Sequence, residues 1–309
     1  MANWYSETGP ESDVVVSTRV RLARNLRDFP FPSRMSREQA NSVISLTKEA
    51  VFNNNKSSGG FSFIDMQSLD TIEKQAMVER HAISRELAES TINSALIISA
   101  DEKISIMINE EDHLRIQCLF PGLQLSSAWE LGSNIDSQLE KKIKYAFSPE
   151  YGYLTSCPTN VGTGIRASVM LHLPALVMTG YIGSLLQACS KIGIAVRGIF
   201  GENSQAMGNM FQISNQVTLG QSEEEIISGV SNIAMQIISQ ERNLRKQLLR
   251  ENSKKFEDRV YRSFGILTNA RIISSEESLK LLSDVKLGAD MDILKDVSSE
   301  AINETMVLI

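Results

Sequence analysis

Three cysteines in 309 residues, with no CxxC pair among them, provide neither a disulfide framework nor a cysteine-bound metal site. Cys118, Cys157 and Cys189 lie far apart, and such sparse use points to a reducing, cytoplasmic setting. No apolar run reaches 18 residues, so no membrane span is predicted. The opening stretch "MANWYSETGPESD" has neither a basic n-region nor an apolar h-region, which excludes a signal peptide. Positive charge is not in excess: 31 Lys and Arg against 37 Asp and Glu leave a net −6, unlike a general nucleic-acid binder. GxxxxGK[ST] is missing, as are HRD and DFG, so neither a P-loop enzyme nor a protein-kinase fold is expected. There is no internal repeat and no low-complexity block.

What remains is ordinary globular material, 42% hydrophobic and 22% charged, long enough for one large domain plus a small one. Its arginines are unevenly placed. Six fall between Arg19 and Arg37. Arg24, Arg27, Arg34 and Arg37 suit a solvated basic segment. Arg19 and Arg21 differ, because they follow the β-branched run "VVVST" at period 2. In an extended segment both leave the same face. Two guanidinium groups there repel unless an anion lies between them, and phosphate is the natural occupant.

Patterning predicts elements along the chain. Ser36 and Gln39 form a capping box before a helix through residue 53, and "NNNKSSGG" is a turn. "FSFIDM" is a strand, and "LDTIEKQAMVERH" is a helix ending near His81. Residues 103–108 and 113–120 alternate, with only "NEED" between them, and predict a hairpin. Leu125, Ala128, Gly132, Ile135 and Leu139 have helical spacing. "YGYLTS", "GIRASVMLHL", "IAVRGIF" and "MFQISNQVTL" are strands. Pro174 opens a helix through "PALVMTGYIGSLLQACSKIG". A second capping box, Ser222 and Glu225, opens a long helix to about residue 250. The fold class is therefore α+β, with an antiparallel component and a small charged helical unit at the C-terminal end. The expected division is a leader over 1–12, a sheet domain over 13–245 and a helical unit over 246–309.

Several residues could carry chemistry. In "MINEEDHLRIQ" the polar face of the second hairpin strand holds His113, Arg115 and Gln117, and extends back to Glu111. At about 3.3 Å per residue, Glu111 and Arg115 would stand roughly 13 Å apart, too far for an ion pair. That span suits a carboxylate at one end of a phosphate chain and a guanidinium at the other; the plainer alternative is a solvated hairpin face. In "GIRASVMLHLP" one face holds Arg166, Ser168, Met170 and His172, and the other looks like core. "VRGIFGENSQAMGN" carries Arg197 and Glu202 around glycines, a pattern that many flexible loops share. In sum, Arg19, Arg21, Arg115, Arg166 and Arg197 all sit at strand edges or loop mouths, enough to balance a triphosphate bound with magnesium.

"STRVRLARNL", "INEEDHLR", "CPTNVGTGIRASVMLHLP" and "RGIFGE" occur in the order found in the ATP:guanido phosphotransferases, and residues 13–245 resemble that family. "RIQCLFPGLQL", "GNMFQISNQVTLG" and "DRVYRSFGILTNARIISSEESLKLLSDVKLG" resemble its bacterial protein-arginine kinase branch, into the helical tail. The resemblance implies a mainly antiparallel sheet flanked by helices, of phosphagen-kinase/glutamine-synthetase-like fold, with ATP and Mg2+ as cofactors and no protein-bound metal. It implies nucleotide contacts from Ser17, Thr18, Arg19, Val20 and Arg21, and from Arg166, Ala167, Ser168, Val169 and Met170. Arg197, Gly198, Ile199, Phe200, Gly201 and Glu202 would add to them, as would His81 and Arg115.

Glu111 and Glu202 would grip the substrate guanidinium, with Glu111 as the base. Cys157 would lie at the substrate end as an orienting thiolate favoured by nearby arginines. Cys118 and Cys189 fall on apolar faces and belong to the core. The resemblance also implies a contrast, because phosphagen kinases carry a helical domain of their own before the first motif. Only about a dozen residues precede it here, which suits a more open site and an arginine on a protein. An RDxxRA motif that reads phosphoarginine usually follows in the branch; these 309 residues contain none. The branch further implies protein substrates with exposed arginine, including a heat-shock repressor, degradation by a Clp protease, a zinc-binding activator and a homodimer. It implies no nucleic acid and no membrane. A kinase for free arginine and a non-catalytic ATP-binding adaptor are the competing readings.

Overall fold

The computed structural model describes residues 3–52, 60–198 and 207–309. Its strands are β1 Val15–Arg24, β2 Phe61–Asp65, β3 Ala95–Ser99, β4 Ile104–Ile108, β5 Leu114–Pro121, β6 Phe147–Ser148, β7 Gly152–Tyr153, β8 Ile165–His172, β9 Ile194–Gly198 and β10 Met210–Asn215. Eight of them form one sheet in the order β2-β3-β4-β5-β1-β8-β10-β9, and every neighbouring pair is antiparallel. The expected hairpin is β4–β5, with Ile106 opposite Ile116. The helices are α1 Arg37–Phe52, α2 Thr71–Glu79, α3 Arg85–Ala88, α4 Leu125–Glu140, α5 Pro174–Met178, α6 Ile182–Lys191, α7 Glu223–Asn269, α8 Ser275–Asp290 and α9 Ser299–Leu308. The α+β class with a mainly antiparallel sheet flanked by helices is what the structure has.

Period-2 alternation sorts the central strands into two faces. Val20, Leu22, Ile116, Cys118, Ala167, Val169 and Ile213 are buried on one, against α1, α4 and the first half of α7. Cys189 joins the same core. Burial raises the Cys118 thiol to about 12, so it stays a neutral, space-filling group.

The opposite face is covered at both ends and open between them. Toward β3 and β4, the α2–α3 segment packs Ile83 and Leu87 on Leu96 and Met107. Toward β8 and β10, the C-terminal helices pack Leu279, Leu282 and Val285 with Val16 and Met210. His172, placed by alternation on the arginine face, is therefore buried, with Nε2 2.8 Å from Ser283 Oγ of α8.

Two helical spans differ from expectation. Residues 174–193 form two helices, because Gly180 at φ +77 interrupts the path after α5. The helix opened by Ser222 and Glu225 does not stop near 250. It bends at Asn252 (φ −147, ψ 51) and continues to Asn269, carried by Phe256 and Val260 in the second core. Buried ionic groups tie the helices to the sheet domain. Glu241 accepts from the backbone N–H of Ala175 and Leu176, both at 2.9 Å, and pairs with Arg245 at 2.8 Å. Arg245 in turn donates to the carbonyls of Asp13 and His172.

Candidate active site

The open part of that face is a cleft of about 670 Å³. Strand register assembles its cations. Arg21 of β1 stands opposite Arg166 of β8, and Arg19 stands opposite Ser168. Arg115 of β5 stands opposite Ala23, one step along the same face. Arg197 of β9 stands opposite Gln212, whose Oε1 accepts from Arg19 Nη2 at 3.0 Å. Directly opposed residues have Cβ atoms only about 4.5–5.5 Å apart, where like charges destabilise a sheet. Yet among the described residues no carboxylate pairs with Arg19, Arg21 or Arg166, and the buried Nε of Arg21 has no acceptor.

The electrostatic result is visible in each group. Withdrawal from water, then Arg115 and Arg166, push Arg19 down to about 10. Arg21 falls further below the ordinary guanidinium range, from withdrawal and then from Arg19, Arg115 and Arg166. Arg166 is lowered by withdrawal and then by Arg197, with Cys157 and Glu111 opposing. An anion bound among Arg19, Arg21 and Arg166 would relieve each of these shifts.

Acidic and thiol groups occupy one end of the cleft. Glu111 is at the mouth, its side chain 42% exposed. Its carboxyl is raised above the usual carboxylate range by withdrawal from water and then by Asp112, with Arg115 opposing. The roughly 13 Å separation from Arg115 is corrected: Glu111 Oε2 lies 3.5 Å from Arg115 Nη2. Strand β5 begins only at Leu114, and Asn109 at φ +58 turns the chain before it, so extended rise does not apply to 109–113.

Two neighbouring acids escaped sequence reasoning. Glu110 is buried, takes the principal bond from Arg115 Nη1 at 2.6 Å, and accepts from Ser84 Oγ at 2.6 Å. Asp112 is buried and accepts from Ser156 N at 2.7 Å and Asn25 Nδ2 at 2.6 Å. The turn that carries Glu111 is thus bonded to the loop that carries Cys157. Cys157 is half-buried, lines the cleft, and has Sγ 3.0 Å from Thr159 Oγ1. Three acids in succession signalled a turn, but nothing in their order showed which would face inward.

His81 lines the cleft at φ +59, its carbonyl accepting from Gln117 Nε2 at 2.7 Å. Withdrawal from water and then Arg19 push its imidazole down to about 4, so the ring is neutral at pH 7. Ser17, Ser168, Met170 and Gly198 also line the cleft. Thr18, Val20, Ala167 and Val169 are turned away from it: Thr18 Oγ1 donates to Gly122 O at 2.6 Å, and the other three are core. Ile199, Phe200, Gly201 and Glu202 lie outside the described residues. Arg24, expected in a solvated segment, is 1% exposed and bonded to Asp136 at 2.7 Å.

The chain matches two family models: "ATP:guanido phosphotransferase, C-terminal catalytic domain" over 42–244, and "Protein-arginine kinase McsB C-terminal domain" over 253–309. It is 52% identical over 305 residues to a protein-arginine kinase of Halalkalibacterium halodurans, covering 99% of this chain and 86% of that one. It is 48% identical to that of Bacillus subtilis, covering 100% and 85%. Two solved structures share the fold. One is the duplicated taurocyamine kinase of Schistosoma mansoni with transition-state-analog components, with TM-score 0.67 and 22% identity, covering 84% of this chain and 39% of that one. The other is a lombricine kinase, with TM-score 0.66 and 23% identity, covering 79% and 72%. The chain belongs to the ATP:guanido phosphotransferase family of enzymes, alongside its bacterial protein-arginine kinases.

Proposed function

We propose that this enzyme transfers the γ-phosphoryl group of ATP to a guanidinium nitrogen of arginine residues in proteins. The observation that carries the reading is the polarity of the cleft: Arg19, Arg21 and Arg166, which have no carboxylate partner among the described residues, with Glu111 and Cys157 at one end. A phosphate chain fits the first feature and a guanidinium the second.

A substrate guanidinium is protonated at neutral pH, with a pKa above about 12, and is a poor nucleophile. One nitrogen must lose a proton as it attacks the γ-phosphorus. Glu111 is the group positioned to accept that proton, and its raised carboxyl makes it a better base than an ordinary glutamate. Glu110 keeps Arg115 occupied at 2.6 Å, which leaves Glu111 only the longer 3.5 Å contact and so frees it for substrate. Glu202 is the second carboxylate of this reading. The Cys157 sulfur orients the guanidinium and forms no covalent intermediate. Arg19, Arg21, Arg115, Arg166 and Arg197 spread positive charge along the phosphates, so that catalysis is mainly positioning and electrostatics. The remaining nucleotide contacts of this reading come from Ser17, Ser168, Met170 and residues 197–202, with His81 beside them.

Among the described residues no cluster of three or more His, Cys, Asp or Glu side chains could hold a metal. In this reading magnesium is carried in on the phosphates, which Mg2+ usually prefers to an all-protein cage. When bound, it would neutralise phosphate charge.

Exposure of Glu111 at the mouth supports an arginine presented on a protein, as does the likeness to protein-arginine kinases near 50% identity. No helix among the described residues is long and apolar enough to cross a membrane. The branch extends the proposal to a cytoplasmic homodimer whose mark reaches a heat-shock repressor and a Clp protease, helped by a zinc-binding activator. Mass spectrometry of a protein substrate after incubation with MgATP tests the core of it. Phosphate localised to arginine is the expected result; phosphate confined to serine, threonine or free arginine would contradict it.

A further inference from the structure

The cleft has a second, apolar end, and the residues that make it come largely from beyond the 42–244 span of the catalytic family model. Leu279 of α8 and Met306 and Val307 of α9 line it, all within 253–309. Val16, Met170 and Met210 line it from the sheet. These six residues belong to one apolar cluster that joins the C-terminal helices to the sheet, yet their surfaces also face the cleft. Three of them are methionines, whose polarizable sulfurs make favourable contacts with aromatic rings. Trp4 lines the cleft as well, and its buried indole N–H has no acceptor among the described residues.

A nucleoside triphosphate has the same polarity as this cleft. With its phosphates on the arginines and its γ-phosphorus toward Glu111, its base lies at the opposite end. On the nucleotide reading of the cleft given above, we propose that α8 and α9 supply the wall on which the nucleobase of ATP packs. Nucleotide affinity then depends on the docking of the C-terminal helices as well as on the sheet. The docking contacts are present: Lys286 Nζ to Ser12 O at 3.1 Å, Thr8 Oγ1 to Glu300 Oε1 at 2.9 Å, and Ser283 Oγ to both His172 and Asn209. By linkage, a bound nucleotide would in turn hold the helices down.

The test uses the 309-residue protein and two polar substitutions, Met306→Gln and Val307→Asn. Val307 is only half-buried, so its variant keeps the fold if Met306→Gln does not. Magnesium ADP and magnesium tripolyphosphate are titrated separately. The proposal predicts about tenfold weaker ADP binding, the scale of one lost apolar contact, with tripolyphosphate binding unchanged. It also predicts a raised KM for ATP with an unchanged KM for the arginine substrate. Unchanged ADP affinity in a folded Val307→Asn variant, or equal weakening of both ligands, would overturn the wall and leave the arginine-lined phosphate site standing. Failure of the unsubstituted protein to bind either ligand would overturn the nucleotide reading and the wall together.

Discussion

Replacing Arg24 by Met should be among the most damaging single changes outside the cleft. Arg24 is 1% exposed, and Nε and Nη2 both bond Asp136, at 3.0 and 2.7 Å to Oδ2. Nη1 also bonds the carbonyls of Ala23 and Thr163, each at 2.9 Å, and the guanidinium lies 3.5 Å from the Tyr153 ring centroid. The substitution strands the Asp136 carboxylate, whose side chain is 9% exposed. Breaking a buried pair from one side costs about 3–5 kcal/mol. A further loss comes from Thr163, because that bond anchors the turn leading into Arg166. Urea unfolding followed by far-UV circular dichroism should show a lower midpoint at constant slope. The double variant Arg24→Met/Asp136→Leu should be less destabilised than Arg24→Met, since it removes the stranded charge. A loss below about 1 kcal/mol for Arg24→Met would be the value of an exposed pair and would refute the burial argument.

Arg166→Ala should lower the turnover rate by about 10²–10³, measured as phosphoryl transfer at saturating substrate; a loss under threefold would remove it from the charge-stabilising set. Cys157→Ser should raise KM for the guanidine more than it lowers kcat, because the thiol orients and forms no covalent bond; complete inactivation would contradict that role. Stability should fall with acid. His81 drops to about 4 in the folded state and His172 falls well below its ordinary 6.5, so the unfolded chain binds more protons between those values. Folding free energy is then greatest above pH 6.5 and declines as pH falls toward 4, with His81 contributing up to about 2 kcal/mol between pH 7 and 5. Thermal midpoints that stay flat across that window would count against both assignments.

Much of the site was readable because strands alternate. Arg19 and Arg21, and Arg166 with Ser168 and Met170, needed only period 2 to be placed on shared faces. Register then brought these faces together, and no local pattern encodes which strand sits beside which. The β4–β5 hairpin was legible because its connection is short. Its turn was not, since extended geometry was carried back through residues that leave it at Asn109. That error hid the Glu111–Arg115 contact and the inward Glu110. Arg24 looked like its solvated neighbours because its partner, Asp136, lies 112 residues away on α4. The bend at Asn252 falls on "NS", two weaker helix formers inside "LLRENSKKFEDR", close to the end expected near 250; what local propensity did not show is that packing of Phe256 and Val260 carries the helix onward.

The most direct test of the central claim is transfer of label from γ-labelled MgATP to a casein-like protein and to free arginine, side by side, for the unsubstituted enzyme and Glu111→Gln. Phosphorus bound to nitrogen is acid-labile, whereas phosphoserine survives acid. The account predicts acid-labile label on the protein, lost by 10²-fold or more in Glu111→Gln, on the scale of a removed general base. Acid-stable label, or acid-labile label that persists undiminished in Glu111→Gln, would contradict it.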